Sequence, residues 1–393
     1  MEKFPKKCYV NFLGCEKRKL DTQRIWDYLK KNGYTLTPKV TDADIVIFVT
    51  CAFCSKYEDW SITKMQKLYR QRQENATFII CGCLTSIHPK RLKEYFPDAI
   101  LVGTRELEKL DELLSAKISI SKIPDPNITL FDKQNSSYDS LREKSMAQQE
   151  YEKAKKGFKI RINWGCLGNC SFCVTKYAEK ELASKPLELV LKEFHKGLSS
   201  GHTSFFFTGG DTGAYGQDIS LSIVSLMTEI LAPQEQNYKV HFHDFGVHWL
   251  HAYFAELLPL FQKNRTKLGC FSLPVQSGSN HVLKLMKRPY TIEPIQETLI
   301  ALKKQVPEIQ IGTHLIAGFP GESEEDFEKT MLLVKSIPWD FCNVFPYSTH
   351  PAAESTLLPN QIPQETILNR YNLLFDCFEK EYIARSSRPQ LGL

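Results

Sequence analysis

Cys166-Leu167-Gly168-Asn169-Cys170-Ser171-Phe172-Cys173 sets three cysteines within eight residues at C-x3-C-x2-C spacing. Thiolates crowded so closely point to a metal that neutralises them. Iron–sulfur clusters are normally held by four cysteines, so a compact run of three suits a cubane with one iron left open to a cofactor or substrate. Structural zinc takes four ligands, usually in two separated pairs, and no nearby His or Cys completes such a set. Three buried apolar cysteines are the remaining reading; the flanking Gly165 and Gly168 favour a loop instead.

The run resembles the hallmark of radical S-adenosylmethionine enzymes, in which an aromatic residue precedes the last cysteine, as Phe172 does here. The resemblance implies a [4Fe-4S] cluster on Cys166, Cys170 and Cys173, with S-adenosylmethionine chelating the fourth iron. It also implies an external one-electron reductant, whose electron yields a 5′-deoxyadenosyl radical. The protein's part is to hold these cofactors against the substrate and exclude water.

At 393 residues the chain is long enough for two domains. A hydrophobic content of 42% and a charged content of 24% are those of an ordinary globular protein. The net charge of +5 tolerates an anionic partner without requiring one. No apolar run reaches membrane-spanning length, and Met1 to Lys7 lacks a signal-peptide pattern, so the expectation is a cytoplasmic protein without a membrane partner. Twelve cysteines in such a chain indicate metal binding or catalysis more than disulfides.

From Cys8 to Ala116, strand-length apolar runs (Cys8–Leu13, Asp44–Val49, Thr77–Cys81, Ala99–Val102) alternate with helical patterns such as Leu20–Lys31 and Ile62–Arg72. That alternation predicts a small parallel α/β domain over residues 1–116. Cys15, Cys51 and Cys83 follow the first three runs, and sites in open parallel sheets form beyond the strands' carboxyl ends. A second, non-local cysteine trio is therefore expected there, with three unrelated loop or core cysteines as the plain alternative. Gly14-Cys15 with Leu20-Asp21, Val49-Thr50-Cys51-Ala52-Phe53 and Cys81-Gly82-Cys83-Leu84 resemble the amino-terminal domain of the methylthiotransferases. The resemblance implies a second, auxiliary [4Fe-4S] cluster on Cys15, Cys51 and Cys83 that takes part in sulfur delivery. Cys54 and Cys81 are competing candidates by proximity.

Residues 117–156 turn polar, with Pro124, Pro126, Asn135-Ser136-Ser137 and a charged run from Arg142 to Lys156, and read as an interdomain linker with room for one helix. Residues 157–393 then repeat the strand–helix alternation through Phe158–Trp164, Ser204–Phe207, Val240–Phe245, Gly269–Val275, Ile309–Leu315 and Phe341–Phe345. Six βα units predict a partial barrel, α/β in class, with its active site at the strands' carboxyl ends.

The motifs fall at those ends. Thr208-Gly209-Gly210-Asp211 follows the second strand; the resemblance assigns the glycine pair to the amino group of S-adenosylmethionine, and a tight turn is the plain alternative. Leu273-Pro274-Val275-Gln276-Ser277-Gly278-Ser279 with Met286-Lys287-Arg288-Pro289-Tyr290-Thr291 resembles a family segment lining the cofactor and substrate cavity. Ala317-Gly318-Phe319-Pro320-Gly321-Glu322-Ser323 and Phe345-Pro346-Tyr347-Ser348 match further family segments, and Ser323 doubles as a helix cap. Phe172, Gly209, Gly210, Asp211, Gln276, Ser277 and His314 are the resulting candidates for cofactor binding.

Three departures from the family pattern stand out. Val174 to Lys180 lacks the Pro and Arg usual after the last cysteine, Ser272 stands where a His is usual, and His314 stands where an Asp is usual. At the carboxyl end, members usually carry an all-β TRAM module, whereas Pro363–Ala384 reads as one amphipathic helix, so the expectation is a member lacking that module.

The resemblance implies replacement of a C–H bond by C–SCH3, with a second S-adenosylmethionine supplying the methyl group. Family members modify a ribosomal-protein aspartate or tRNA adenosine 37. Both groups use that RNA- or protein-contacting module; RNA recognition without it needs a basic face with stacking aromatics, and Lys64, Lys67, Arg70 and Arg72 form the best small basic cluster, so a peptide or protein substrate is expected first and tRNA second. A single-cluster radical enzyme and a non-catalytic iron–sulfur protein are the readings from other classes.

Overall fold

The computed structural model describes residues 6–133, 146–232 and 236–386. They divide into two compact units, residues 6–133 with 173–180, and residues 146–172 with 181–232 and 236–386.

The first unit is built on five parallel strands, β1 (Lys7–Phe12), β2 (Thr35–Leu36), β3 (Ile45–Thr50), β4 (Thr77–Gly82) and β5 (Ile100–Val102), ordered β2-β1-β3-β4-β5. The central β3, Ile-Val-Ile-Phe-Val-Thr, is buried along its whole length, which is why it reads as an unbroken apolar run rather than an alternation. β2 escapes sequence reading because two residues at a sheet edge carry no period. The helices Glu16–Lys31 and Ser55–Gln71 connect neighbouring strands.

The polar stretch after Ala116 is not a linker throughout. Short 3-10 turns at Ile120–Lys122 and Leu130–Lys133 drop Ile120, Ile123 and Phe131 into the core of the first unit. Arg24 fastens the stretch by donating to the carbonyls of Ile123 (2.9 Å) and Ile120 (3.0 Å). The helix Met146–Ala154 belongs to the second unit, where Tyr151 packs with Phe206, Cys270 and Phe341. Asn135-Ser136-Ser137 and the start of the charged run at Arg142 lie outside the described residues.

The second unit carries six parallel strands, β6 (Phe158–Arg161), β9 (Ser204–Thr208), β10 (Lys239–Phe242), β11 (Leu268–Ser272), β12 (Gln310–Ala317) and β13 (Phe341–Pro346), ordered β13-β12-β11-β10-β9-β6. Between β6 and β9, the two-residue strands β7 (Asn163–Trp164) and β8 (Ala183–Ser184) form an antiparallel ribbon. The expected single strand over Phe158–Trp164 is thus broken at Ile162, whose N–H turns to the Thr208 carbonyl (2.9 Å). The sheet's helix-covered face holds the large apolar core, including Phe205, Phe207, Val240, Phe242 and Phe271. The terminal helix Gln364–Ser386 packs along β12, β13 and the helix Glu324–Ser336. No helix of the described residues is long and apolar enough to cross a membrane.

Candidate functional site

In the first unit, β1, β3 and β4 lie side by side and point the same way, so the segments that follow them leave from one edge. Cys15 is the residue before the helix Glu16–Lys31, Cys51 directly follows β3, and Cys83 directly follows β4. Thr50 ties two of these ends together. Its hydroxyl donates to the Cys81 carbonyl (2.9 Å) and accepts from the Leu84 N–H (3.2 Å), while its carbonyl accepts from the Cys83 N–H (3.2 Å).

Arg18 completes the cluster. It is buried, donates to the Cys83 sulfur at 3.7 Å, and pairs with Asp21 (3.0 Å) and Glu179 (2.9 Å). A Cβ on Gly14 would meet the Arg18 Cβ at 2.7 Å and the Cys51 Cβ at 3.6 Å, so glycine lets the cysteine-bearing loops close around the guanidinium. Burial pushes the Cys51 thiol well up, and the charges of Cys15 and Cys83 add to it. Burial also pushes Cys83 up to about 12, with Arg18 opposing. Three thiols within each other's field are poor thiolates by themselves and good ones around a cationic cluster, so the donor set fits iron–sulfur ligation. Of the competitors, Cys81 packs in the apolar core behind the sheet, and Cys54 stands at the start of the helix Ser55–Gln71.

In the second unit the loop after β7 is shaped for close approach. Gly165 adopts φ +68°, and the Gly168 N–H donates to the Cys166 sulfur at 3.2 Å. A Cβ on Gly168 would lie 3.3 Å from the Cys166 sulfur and 3.8 Å from that of Cys170. Arg288 donates to the Cys170 sulfur (3.5 Å), to the Pro274 carbonyl (2.9 Å) and to the Tyr290 hydroxyl (3.0 Å). Ser171 is anchored through its N–H to the Met286 carbonyl (3.1 Å) and through its hydroxyl to the Leu285 carbonyl (2.7 Å). Phe172 packs edge-on against Phe319 at 6.4 Å. Cys173 opens the segment Cys173–Lys180 that belongs with the first unit, and its sulfur lies 3.1 Å from the Thr175 hydroxyl. The loop thus has the clearance and the donors that a cluster on cysteine sulfurs requires, and S-adenosylmethionine is the cofactor such a loop serves in radical enzymes.

Gly209 and Gly210 press on that loop. A Cβ at Gly209 would stand 1.8 Å from Asn163 Oδ1, and one at Gly210 would stand 1.8 Å from the Gly165 carbonyl oxygen. Asn163 joins the two loops by accepting from the Gly210 N–H (3.1 Å) and donating to the Asp211 carbonyl (2.6 Å). The Asp211 carboxylate accepts from the N–H groups of Gly213 (3.0 Å) and Gly246 (2.8 Å) and from Trp249 Nε1 (3.1 Å). Asp211 therefore spends its carboxylate on the architecture of the loop; burial pushes its pKa up against those hydrogen bonds.

Gln276 sits at φ +76°, a costly conformation for a residue with a Cβ. Its backbone bonds to His314 O (2.8 Å) and Ile316 N (2.9 Å) bring it beside β12, and its buried Oε1 has no hydrogen-bond partner among the described residues. Such an orphan acceptor is a place for a ligand's donor. Ser277 is committed to the turn, 3.2 Å from the Thr330 hydroxyl and accepting from the Ser279 N–H (3.1 Å). His314 Nε2 lies 3.2 Å from the Ser272 hydroxyl and its Nδ1 3.9 Å from Asp244, and burial pushes its pKa down to about 4. Arg18, which the sequence does not single out, and Arg288, which it marks only as part of the Met286–Thr291 segment, each stand on a cysteine sulfur. The available signals were an arginine three residues after Cys15 and one inside the Met286–Thr291 motif.

Comparison with known proteins agrees with this arrangement. Residues 7–103 match the model described as Uncharacterized protein family UPF0004, and residues 160–334 match that of the Radical SAM superfamily. A ribosomal protein uS12 methylthiotransferase RimO from Chlamydia abortus is 29% identical, over 97% of this chain and 80% of its own. A tRNA-2-methylthio-N(6)-dimethylallyladenosine synthase from Nitratiruptor is 28% identical over 94% and 83%. The human threonylcarbamoyladenosine tRNA methylthiotransferase is 27% identical over 91% and 61%. Among solved structures, the radical S-adenosylmethionine methyltransferase TsrM from Kitasatospora setae shares the fold, with a TM-score of 0.60 at 14% identity over 90% of this chain and 75% of that one. Both matched domains in their order, and relatives aligned along nearly the whole length, establish that the chain belongs to the radical S-adenosylmethionine methylthiotransferase family.

Proposed function

We propose that this chain replaces a C–H bond by C–SCH3 on a polypeptide substrate. The observation that carries the two-cluster chemistry is the presence of two cysteine sets, each with a guanidinium on one sulfur: Arg18 at Cys83 and Arg288 at Cys170. In this reading Cys166, Cys170 and Cys173 hold one [4Fe-4S] cluster and Cys15, Cys51 and Cys83 hold a second. When bound, the clusters and S-adenosylmethionine supply the radical, the sulfur and the methyl group. The protein's own residues do the rest: Gly209 and Gly210 let backbone approach the cofactor, Gln276 offers it an acceptor, and the arginines hold charge at the sulfurs. An external one-electron donor is the further partner.

The polypeptide reading is supported by uS12-modifying relatives that align over 97% of this chain. A second reading, methylthiolation of tRNA adenosine, is favoured by tRNA-modifying relatives of nearly equal identity. Mass spectrometry of uS12 and of tRNA nucleosides, from cells with and without the gene, separates the two. A methylthio mark on uS12 that vanishes with the gene supports the first, and loss of a 2-methylthioadenosine derivative overturns it. Replacing Cys15, Cys51 or Cys83 singly by Ala should lower the reconstituted iron by about half, because only one of two four-iron sites loses a ligand. Undiminished iron in all three variants would sink the auxiliary-cluster assignment.

A further inference from the structure

Side chains along a strand alternate between the two faces of the sheet. In the second unit Phe205 and Phe207 join the outer core, while Phe206, Cys270 and Phe341 form a separate inner cluster with Tyr151. Towards the strands' carboxyl ends the inner positions turn polar: Arg161 on β6, Thr208 on β9, His243 just after β10, Ser272 on β11, His314 on β12 and Asn343 on β13. Barrel interiors are ordinarily filled at such levels by branched apolar residues. Much of this layer is satisfied from within. The helix Met146–Ala154 lays Gln148 on Asn343 (3.1 Å) and the Tyr151 hydroxyl on His243 Nδ1, and Ser272 meets His314. Asp244, held at φ +50°, stands between the imidazoles, 3.3 Å from His243 Nε2 and 3.9 Å from His314 Nδ1. Its carboxylate is about a third exposed, at 31%.

Thr208 is fully buried, and its hydroxyl has no hydrogen-bond partner among the described residues. A hydroxyl in that state is destabilising unless something arrives to pair with it.

We propose that this layer orients the substrate for reaction and takes one amide group of a polypeptide, with Thr208 Oγ1 donating to the amide carbonyl and the Asp244 carboxylate accepting the amide N–H. This rests on the polypeptide reading above. A carboxylate ligand would be repelled by Asp244, and an ammonium would leave the Thr208 proton unused; an amide is neutral and offers both a donor and an acceptor. His243, whose Nε2 lies 3.3 Å from the Asp244 carboxylate, is a positioning residue for that group.

The test uses the reconstituted two-cluster enzyme with purified uS12, S-adenosylmethionine and dithionite. Thr208→Val should raise the KM for uS12 about tenfold, the loss of one hydrogen bond, with kcat changed far less. S-adenosylmethionine should bind as before, and the thermal midpoint should stay or rise, because an unpaired buried hydroxyl is gone. Thr208→Ser keeps the hydroxyl and should keep the KM, and Asp244→Asn should raise it. An unchanged KM in Thr208→Val, or weakened S-adenosylmethionine binding in its place, would overturn the assignment alone. A wild-type enzyme that leaves uS12 unmodified, whether or not it modifies tRNA, would overturn the polypeptide reading and the amide assignment with it.

Discussion

Gly209 and Gly210 look equivalent in sequence, and the surroundings separate them. At Gly210 an added Cβ meets the backbone carbonyl of Gly165, one residue from Cys166, and a backbone carbonyl there moves only with the whole cysteine loop. At Gly209 it meets Asn163 Oδ1, a side chain that can swing away at the expense of its bonds to Gly210 and Asp211. Gly210→Ala should therefore lose most of the iron bound by the cysteine loop and keep that of the first unit, about half of the total, whereas Gly209→Ala should fall in between. Iron analysis after anaerobic reconstitution reads this directly, and equal iron in the two variants would contradict it. The C-x3-C-x2-C spacing of Cys166, Cys170 and Cys173 can be read straight from the sequence, and Cys15, Cys51 and Cys83 only from their places after the first three apolar runs. The arginines' contacts cannot be read so: Arg288 lies 118 residues from the Cys170 it touches, and only the fold brings them together. Asp211 was legible as a motif residue while its three hydrogen bonds were not, since two of its partners lie 35 and 38 residues on. The two departures from the family pattern at Ser272 and His314 turn out to face each other at 3.2 Å, which single positions read one at a time do not reveal.

At the level of elements, strands and amphipathic helices were readable from their periods, and the tasks of two helices were not. Met146–Ala154, read as part of a linker, supplies hydrogen bonds to the inner face of the second sheet. The terminal helix, read as a packing helix, also locks a motif. Its Arg370 donates to the Glu322 carbonyl (2.8 Å) and carboxylate (2.9 Å), and that carboxylate accepts from the Gly318 N–H (2.9 Å). Gly318, at φ +75°, has Ile367 of the same helix 2.6 Å from where its Cβ would be, so the turn and the helix are fitted to each other. Arg370→Met should strand a buried carboxylate and destabilise the chain by about 3 kcal/mol. Burial already pushes Glu322 up to about 7, so at pH 5.5 the stranded group is protonated and the loss should be smaller than at pH 8. The double variant Glu322→Gln with Arg370→Met should recover part of the loss at pH 8. Urea unfolding of the three proteins at both values decides it; an equal loss at both would mean that the charge is not the cause.

For the whole molecule, the two-part α/β plan was legible because buried parallel strands appear as apolar runs between helical patterns. Its response to acid could be read only from the structure. His241, His248 and His314 are each pushed down to about 4 from the ordinary 6.5, chiefly by burial. Glu150 opposes the shift at His241 and Asp244 opposes it at His314, while Arg288 reinforces it at His248. Between about pH 4.5 and 6.5 the unfolded chain takes up a proton at each of the three that the folded chain refuses, so their contribution is complete above 6.5 and lost as the pH falls. Glu322 acts in the opposite sense: raised to about 7 from 4.5, it keeps a proton in the folded chain that the unfolded chain releases. Asp326, held below its ordinary range by Ser279, His281 and Ser323 against the effect of burial, stays ionised across this window and leaves the slope alone. Asp211 and Asp340, whose carboxyls burial also pushes up, act in the sense of Glu322, so with the three histidines opposed by Glu322 alone the unfolding free energy would drop by roughly 2.7 kcal/mol per pH unit on acidification, and that figure is the upper bound. Urea midpoints of the metal-free protein at pH 7.5, 6.5 and 5.5 should be nearly level over the first interval and fall steeply over the second. Replacing His248 by Asn should remove about a third of the histidine share of that slope. A profile that is flat or rises towards acid would show that these imidazoles are hydrated and charge freely in the folded protein.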